Sequence, residues 1–354
     1  LWSIVVLYNQ VEAVLSGEPF DILADQEAAQ VAQEISSGLQ SLGYRTACVG
    51  VAGDVAGALA AFSPDDWLVF NLCEGLNGDP ALEARVPPAL EGLGFTHTGA
   101  SGPGLAACLD KAHTKERLQA HGLPTPRYAV LSSPGERCDV PLPAMVKPLA
   151  EDGSLGISWE SVVCEPGALA GRVRYVVERY EQPALVEEFI DGREFNLAVW
   201  GNSPPEPLPT AEIDYQSIGD PLRRVCTYEA KWVEDSFAYH RTPVVCPAQV
   251  DAGLGEQLCQ AGLAAYRLMG CRDYARIDMR ERQGSAYILE VNPNPSLAAD
   301  AGFYRAARAL GYDHARMAEQ IVRFALERTA SRGDAWEGQC SLHRRKLRPE
   351  RSSI

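Results

Sequence analysis

The sequence has no CxxC pair and no close Cys/His spacing, although ten cysteines are spread from Cys48 to Cys340. That removes the usual framework of a structural zinc site and leaves the thiols reading as small buried hydrophobes of a protein expected in the cytoplasm, a reducing compartment. Positive charge is scarce: 32 Lys and Arg face 47 Asp and Glu, a formal net charge of −15. This balance argues against nucleic acid or an anionic membrane as a partner, so any polyphosphate must be held by a local cluster of cations, metal and backbone amides. No run approaches the length of a membrane span, and no internal repeat is visible. The opening LWSIVVLYNQVE lacks a basic leader and reads as a first core strand, not a signal peptide.

What is present is the composition of a globular protein: 354 residues, 46% hydrophobic and 22% charged, enough for two or three domains and a catalytic cleft. Ile4 to Tyr8, Arg45 to Val49 and Trp67 to Asn71 read as strands, with an amphipathic helix over Glu27 to Leu42, and this alternation implies parallel βαβ units. A glycine-rich loop follows Asn71, placing Cys73 to Asp79 beyond a strand's carboxyl end, where α/β sheets bind ligands. Asp110 and Lys111 open a helix that GLPTP stops. Strands are expected at 144–146, 156–163, 184–190 and 194–200, with helices at 169–181 and 248–269. One or two closing helices span 303–328, and a basic tail from Ser331, with six Lys/Arg against three acids, is expected to be poorly ordered.

The chemistry gathers in ARIDMRERQGSAYILEVNPNPS, residues 275–296. Tyr274 to Met279 and Ser285 to Val291 read as the strands of a hairpin bent over Arg280 to Gly284. On its second strand Glu290 and Asn292 share a face, with Tyr287, Leu289 and Val291 pointing the other way, and folding brings Asp278 back beside Glu290. Three oxygen ligands at one sheet end, with Arg276 alongside, suit magnesium bridged to phosphates; the competing reading is an ordinary hairpin with solvated acids. Lys147 leaves a strand in MVKP toward EDGSLGIS, where Gly153 and Ser154 can offer backbone N–H groups to phosphate. VEEFIDGREF supplies a strand edge for a purine at Glu187 and a carboxylate for ribose at Glu194. Lys231 stands in the polar segment TYEAKWVED, where a surface lysine is the plain alternative.

The order DKxxTK, xVKP with its Gly-Ser loop, VEEFIxGREF, YxAK, RIDM and LEVNPNPS resembles the ATP-grasp ligases, and most closely their D-alanine–D-alanine ligase branch, over residues 71–321. The resemblance implies an α/β and α+β protein of ATP-grasp fold with an N-terminal parallel βαβ domain. Its expected parts are an N-terminal domain over 1–108, a central ATP-grasp subdomain over 109–192, a C-terminal subdomain with the metal site over 193–330, and the flexible tail over 331–354. It also implies the site. Lys111 and Lys147 would contact phosphates, Glu187 and Ile190 the adenine edge, Glu194 the ribose and Lys231 the γ-phosphate. Asp278, Glu290 and Asn292 would hold two Mg²⁺ ions, with Mn²⁺ as a substitute, and Arg276 would face the reacting carbonyl. Family members activate a carboxylate as an acyl phosphate that a nucleophile, commonly an amine, then displaces. The segment at 153–156 and that around Lys231 are expected to close as lids, because an acyl phosphate must be kept from water.

Two substrate features depart from the family. Its first βα loop carries glycine-serine and Glu-His, the glutamate anchoring an ammonium, whereas this chain reads EPFDILADQEAAQ, with Asp21, Asp25 or Glu27 available and Asp25 taken as the candidate. After the metal ligands the family has a Ser-Pro-Gly-type turn and a later serine; here NPNPSLAADAGF puts Ser296 at the glycine and no serine further on. The expected activity is ATP-dependent ligation of a carboxylate to an amine, on amino acid or peptide-like substrates, in a homodimer as in the family. The rival readings are a specialised ligase with substrates other than D-alanine and a non-catalytic ATP-binding regulatory protein.

Overall fold

The apolar runs that follow one another in the first part of the chain are strands covered on both faces, as parallel sheets require. In the computed structural model, which describes residues 2–11, 16–18 and 22–346 and the side chains of 27–330 within the last stretch, β1 (Ser3–Asn9), α1 (Ile22–Ser41), β2 (Thr46–Val51), α2 (Val55–Leu59) and β3 (Trp67–Asn71) form a parallel sheet of order β2-β1-β3. Ile4, Val6, Leu68 and Phe70 pack on one face against α1, and Val5, Leu7 and Val69 on the other against Leu59, Val86 and Leu90. A 3₁₀ segment (Pro80–Arg85) and three helices follow: α3 (Val86–Gly92), α4 (Gly102–Leu109) and α5 (Lys111–Ala120). Asp110 caps α5 by accepting the His113 N–H at 3.0 Å.

The central sheet is antiparallel in the order β4-β7-β5-β6. Its elements are β4 (Tyr128–Leu131), β5 (Ala144–Pro148), β6 (Val162–Val163), α6 (Pro166–Tyr180) and β7 (Ala184–Glu188). Val146 and Val186 point to α6, onto Val173 and Val176, so the period of two sends Met145, Lys147 and Glu187 to the opposite face. The strand expected over 156–163 does not form. Gly153, Ser154 and Gly156 all take positive φ, which bends the chain into a loop, and only the two residues of β6 rejoin the sheet.

The second antiparallel sheet runs β11-β10-β8-β12-β13, with β9 paired to β8. It is built from β8 (Glu194–Trp200), β9 (Glu206–Pro207), β10 (Ala211–Ile213), α7 (Tyr228–Trp232), α8 (Phe237–Arg241), β11 (Val244–Val245), α9 (Ala252–Leu268), β12 (Tyr274–Arg282), β13 (Ser285–Asn292), α10 (Gly302–Ala309) and α11 (His314–Lys346). The tail expected from Ser331 lies outside the described residues, apart from the helical backbone through Lys346. Phe195, Leu197, Ile277 and Ile288 pack against α9, where Gly262 approaches so closely that a Cβ would lie 2.3 Å from Leu197 Cδ2. The hairpin turn is shorter than its charge suggests. Only Gln283 and Gly284, at φ of 54° and 79°, form it, while Arg280 and Arg282 belong to β12 because Glu194 and Glu188 pair with them.

Asp273 ties the units together. Fully buried, it accepts from the Gly99 N–H (2.9 Å), from Asn202 Nδ2 (2.9 Å) and from Arg328 Nε and Nη2 (3.1 and 2.9 Å). Those partners follow β3, follow β8 and sit on α11. Asp273→Ala would strand Arg328 and the Gly99 amide, so unfolding in urea is expected to show a loss of about 3–5 kcal/mol. A loss below about 1 kcal/mol would show that the knot is dispensable.

Candidate active site

A cavity of about 450 Å³ lies between the two antiparallel sheets. Its inner part is an apolar slot: Met145, Phe189 and Val225 are buried together with Ile157 packed against them, and Leu289 lines the same space. Beneath it, Glu187 on β7 bridges two lysines, accepting Lys115 at Oε2 and Lys147 at Oε1, both at 2.8 Å. All three side chains are almost fully buried. Burial alone would push Glu187 up, but the two ammoniums outweigh it and hold the carboxylate at about 2. Lys115, shut away from water and facing Lys147, is pushed down; Lys147 is raised by Glu187 and Glu290 against its burial.

At the next station the ladder sets Asp278 opposite Glu290 on β13 and opposite Asn196 on β8. Arg276 grips Asp278 with Nε on Oδ1 (2.7 Å) and Nη2 on Oδ2 (2.8 Å), and Asn196 Nδ2 donates to Oδ1 at 2.6 Å. Asp278 is nevertheless pushed up, first by burial and then by the charges of Glu290 and Glu194, despite Arg276. Glu290 is lowered: burial opposes its charge, but Lys111, Lys147, Arg276 and Lys231 prevail. The pairing shifts between Asp278 and Met279, so that Met279 faces Ile288 and Leu289 is the extra residue of a bulge. Leu289 therefore does not point away from Glu290; both line the cavity. Its carbonyl accepts from Lys115 Nζ at 3.4 Å, and Thr125 Oγ1 donates to the Ile288 carbonyl at 2.8 Å.

The outer end is formed by α1, α7, α8 and the start of α10. Ser296 Oγ donates to Glu27 Oε2 at 3.0 Å, and Glu27 is raised by burial and by nearby Asp300 in spite of the Ser296 bond and Lys231. Lys231, Tyr239, Gly302 and Arg305 complete this wall. The loop at 153–157 meets α7 above it: Trp232 Nε1 donates to the Gly153 carbonyl at 2.7 Å, and the Tyr228 N–H to the Ile157 carbonyl at 2.9 Å.

Of the residues singled out in the sequence, Lys147, Gly153, Ser154, Glu187, Ile190, Glu194, Lys231, Arg276, Asp278, Glu290 and Ser296 line this one cavity. Lys111 turns instead to the Glu151 carbonyl and to Asp152 Oδ1 (3.7 Å), at the root of the 153–156 loop. Asn292 is opposite Arg276 at the strand end, its Oδ1 accepting the Asn294 N–H at 3.0 Å, and is off the cavity wall. The Asp25 side chain lies outside the described residues, and Glu27 occupies the position at the substrate end. Glu194 Oε2 is held by Arg280 (2.9 and 2.7 Å) and the Tyr215 hydroxyl (3.0 Å). Sequence reasoning passed over Lys115, although DKxxTK contains it, and Arg280, whose charge read as a turn. The apolar slot carried no signal, since its five residues come from five separate segments.

Comparison with known proteins gives the family and the fold. The family described as D-ala D-ala ligase C-terminus matches residues 118–323. The uncharacterized protein y4sG of Sinorhizobium fredii is 34% identical, covering 86% of this chain and 90% of its own length. A D-alanine–D-alanine ligase of Desulforudis audaxviator is 32% identical over 83% of this chain and 92% of its own, and one of Alcanivorax borkumensis 30% identical over 83% and 87%. The crystal structure of a Bacillus anthracis D-alanine–D-alanine ligase complexed with ATP superposes with a TM-score of 0.72 at 20% identity, over 94% of this chain and 100% of that one, which shows the same fold. The chain belongs to the D-alanine–D-alanine ligase family and is an ATP-dependent ligase of the ATP-grasp fold.

Proposed function

We propose that the chain phosphorylates the carboxylate of a small amino acid or peptide-like acid with ATP and couples the acyl phosphate to an amine. The observation that carries this reading is the single cavity joining an apolar slot, a lysine-flanked floor, an opposed pair of carboxylates and an outer wall with both Glu27 and Arg305. The slot takes the purine between Phe189 and Leu289, with the strand edge at 187–190 meeting the base by its backbone. Lys147 and Lys231 neutralise the phosphates, and the left-handed turn at Gly153 and Ser154 presents N–H groups to them.

Two carboxylates facing each other across one ladder, one of them raised by burial and further by the charge of the other, fit a divalent cation. Among the described residues no three His, Cys, Asp or Glu converge, which suits Mg²⁺, since it takes one or two carboxylates and completes its octahedron with phosphate oxygens and water. Asp278 and Glu290, with Asn292 beside them, would hold it, and Mn²⁺ would substitute. A cation held by these residues would offset the negative charge that opposes attack by a carboxylate on a phosphoryl group. Asp278 occupies Nε and Nη2 of Arg276, which leaves Nη1 to donate to the oxyanion as the amine adds. The bond between Trp232 and Gly153 supports loops that exclude water while the acyl phosphate lives.

For the substrates, Glu27 receives an ammonium, whose charge would act against the burial that raises the carboxyl. The start of α10 receives a carboxylate, since Ala301 leaves its first amides without a side-chain cap and Arg305 stands one turn on. D-alanine, the substrate named for the relatives, is one candidate for each place. A homodimer in the cytosol completes the reading. Among the described residues nine cysteines are free, which accords with the cytosol, and no helix is long and apolar enough to cross a membrane.

Glu290→Gln is expected to abolish phosphate release from ATP, and undiminished release would sink the metal assignment. Arg276→Ala should leave nucleotide affinity nearly unchanged while cutting product formation about a hundredfold or more. Equal loss of both would mark Arg276 as structural. A phosphate-release screen over pairs of amino acids, D-alanine included, with product masses read out, should give a coupled product for at least one pair; release without coupling throughout would overturn ligation of such acids.

A further inference from the structure

We infer that Asn294 is a positioning residue, fixing the proposed magnesium ligand Asn292 and locking the metal end of the site onto the N-terminal unit through Glu83 and the Cys73 carbonyl. Asn294 lies just after β13 and makes four hydrogen bonds that run in three directions. Its N–H donates to Asn292 Oδ1 at 3.0 Å, which holds the carboxamide of Asn292 in one orientation. Its Nδ2 donates to the Cys73 carbonyl (3.0 Å) and to Glu83 Oε1 (2.8 Å). Its Oδ1 accepts the Tyr274 hydroxyl at 2.9 Å.

Two donors and an acceptor are needed at one point, and a carboxamide is the side chain of that size that supplies them. The orientation is determined by chemistry, because the Cys73 carbonyl can only accept. Asn294 itself is half-buried, but three of its four bonds end on groups shut away from bulk water: Glu83 is buried on the 3₁₀ segment, and Tyr274 and Cys73 are fully buried. Burial raises Glu83 well above the usual carboxylate range, with Asp152 and Glu74 adding to it against the Asn294 bond. What the contact asks of Glu83 is an acceptor oxygen for Asn294 Nδ2, and an amide of the same shape keeps one.

This inference rests on the reading of Asn292 as a magnesium ligand. Groups that orient metal ligands typically govern affinity by 10–100-fold. The test titrates the full-length protein with the non-hydrolysable ATP analogue AMP-PNP by calorimetry, with and without a series of Mg²⁺ concentrations. For Asn294→Ala, the Mg²⁺ concentration giving half of the metal-dependent gain in nucleotide affinity should rise about 10–100-fold, with metal-free affinity unchanged. Glu83→Gln, which keeps the acceptor, should stay within about twofold of wild type, and Glu83→Leu should move in the direction of Asn294→Ala. An unchanged Mg²⁺ requirement in Asn294→Ala overturns the inference. If that variant fails to fold, equal requirements in Glu83→Gln and Glu83→Leu overturn it. A wild type whose nucleotide affinity ignores Mg²⁺ overturns the metal reading itself, a result separate from the other two.

Discussion

Three charges that cannot reach water, Lys115, Glu187 and Lys147, set the terms for the rest of the molecule. Taking ions out of water is costly, and each pair alone would barely offset that cost. The triad is also unbalanced, with two ammoniums on one carboxylate, and its surplus positive charge faces the cavity through Lys147. Glu290 across the cavity answers part of it, since each group shifts the other toward its charged form. An anionic ligand can answer the remainder. The central sheet therefore holds a tension that a polyphosphate relieves, and β7 carries it from the middle of the sheet, paired to β4 on one side and β5 on the other.

Much of this was legible in the chain, for reasons that differ from residue to residue. That Asp278 returns to the neighbourhood of Glu290 follows from folding a hairpin, although a regular ladder from the two-residue turn would set it opposite Leu289 and the bulge moves its partner on to Glu290. The parallel N-terminal sheet follows from strands separated by helix-length segments. Alternation identifies a face but not what lies across from it, so Lys115 could not be joined to Glu187, 72 positions later, from the sequence alone. Arg280 misled because charge in a strand usually means solvent, whereas here Glu194 neutralises it in the interior. The choice between Asp25 and Glu27 turned on helical phase, to which a segment rich in both acids and alanines gives no clear pointer. A bulge leaves no mark in composition at all, and Leu289 was assigned to the wrong face on that account.

The N-terminal unit is tied to the chemistry at two points of different kinds. Asp273 meets Gly99, Asn202 and Arg328 with a charge that is fully paired. Asn294 meets Cys73, Glu83 and Tyr274 through its carboxamide. The carboxylate knot sits at the start of β12 and the carboxamide knot just past the end of β13, so the hairpin that holds Asp278 and Glu290 is clamped at its open end. Its turn, at Gln283 and Gly284, is left on the surface.

The bulge at Leu289 separates two dimensions of the site that a regular strand would have locked together. In an unbroken ladder, neighbours face opposite ways, and an apolar wall for a base would stand two residues, about 7 Å, from the nearest carboxylate on its own strand. Here the two are adjacent. The distance from the apolar slot to the carboxylate is thus written in the number of backbone units between Ile288 and Glu290, while this strand's share in the shape of the slot is written in the side chain of Leu289. Substitution at 289 can reshape the slot without moving the carboxylate, and only an insertion or deletion in β13 can alter the reach between them.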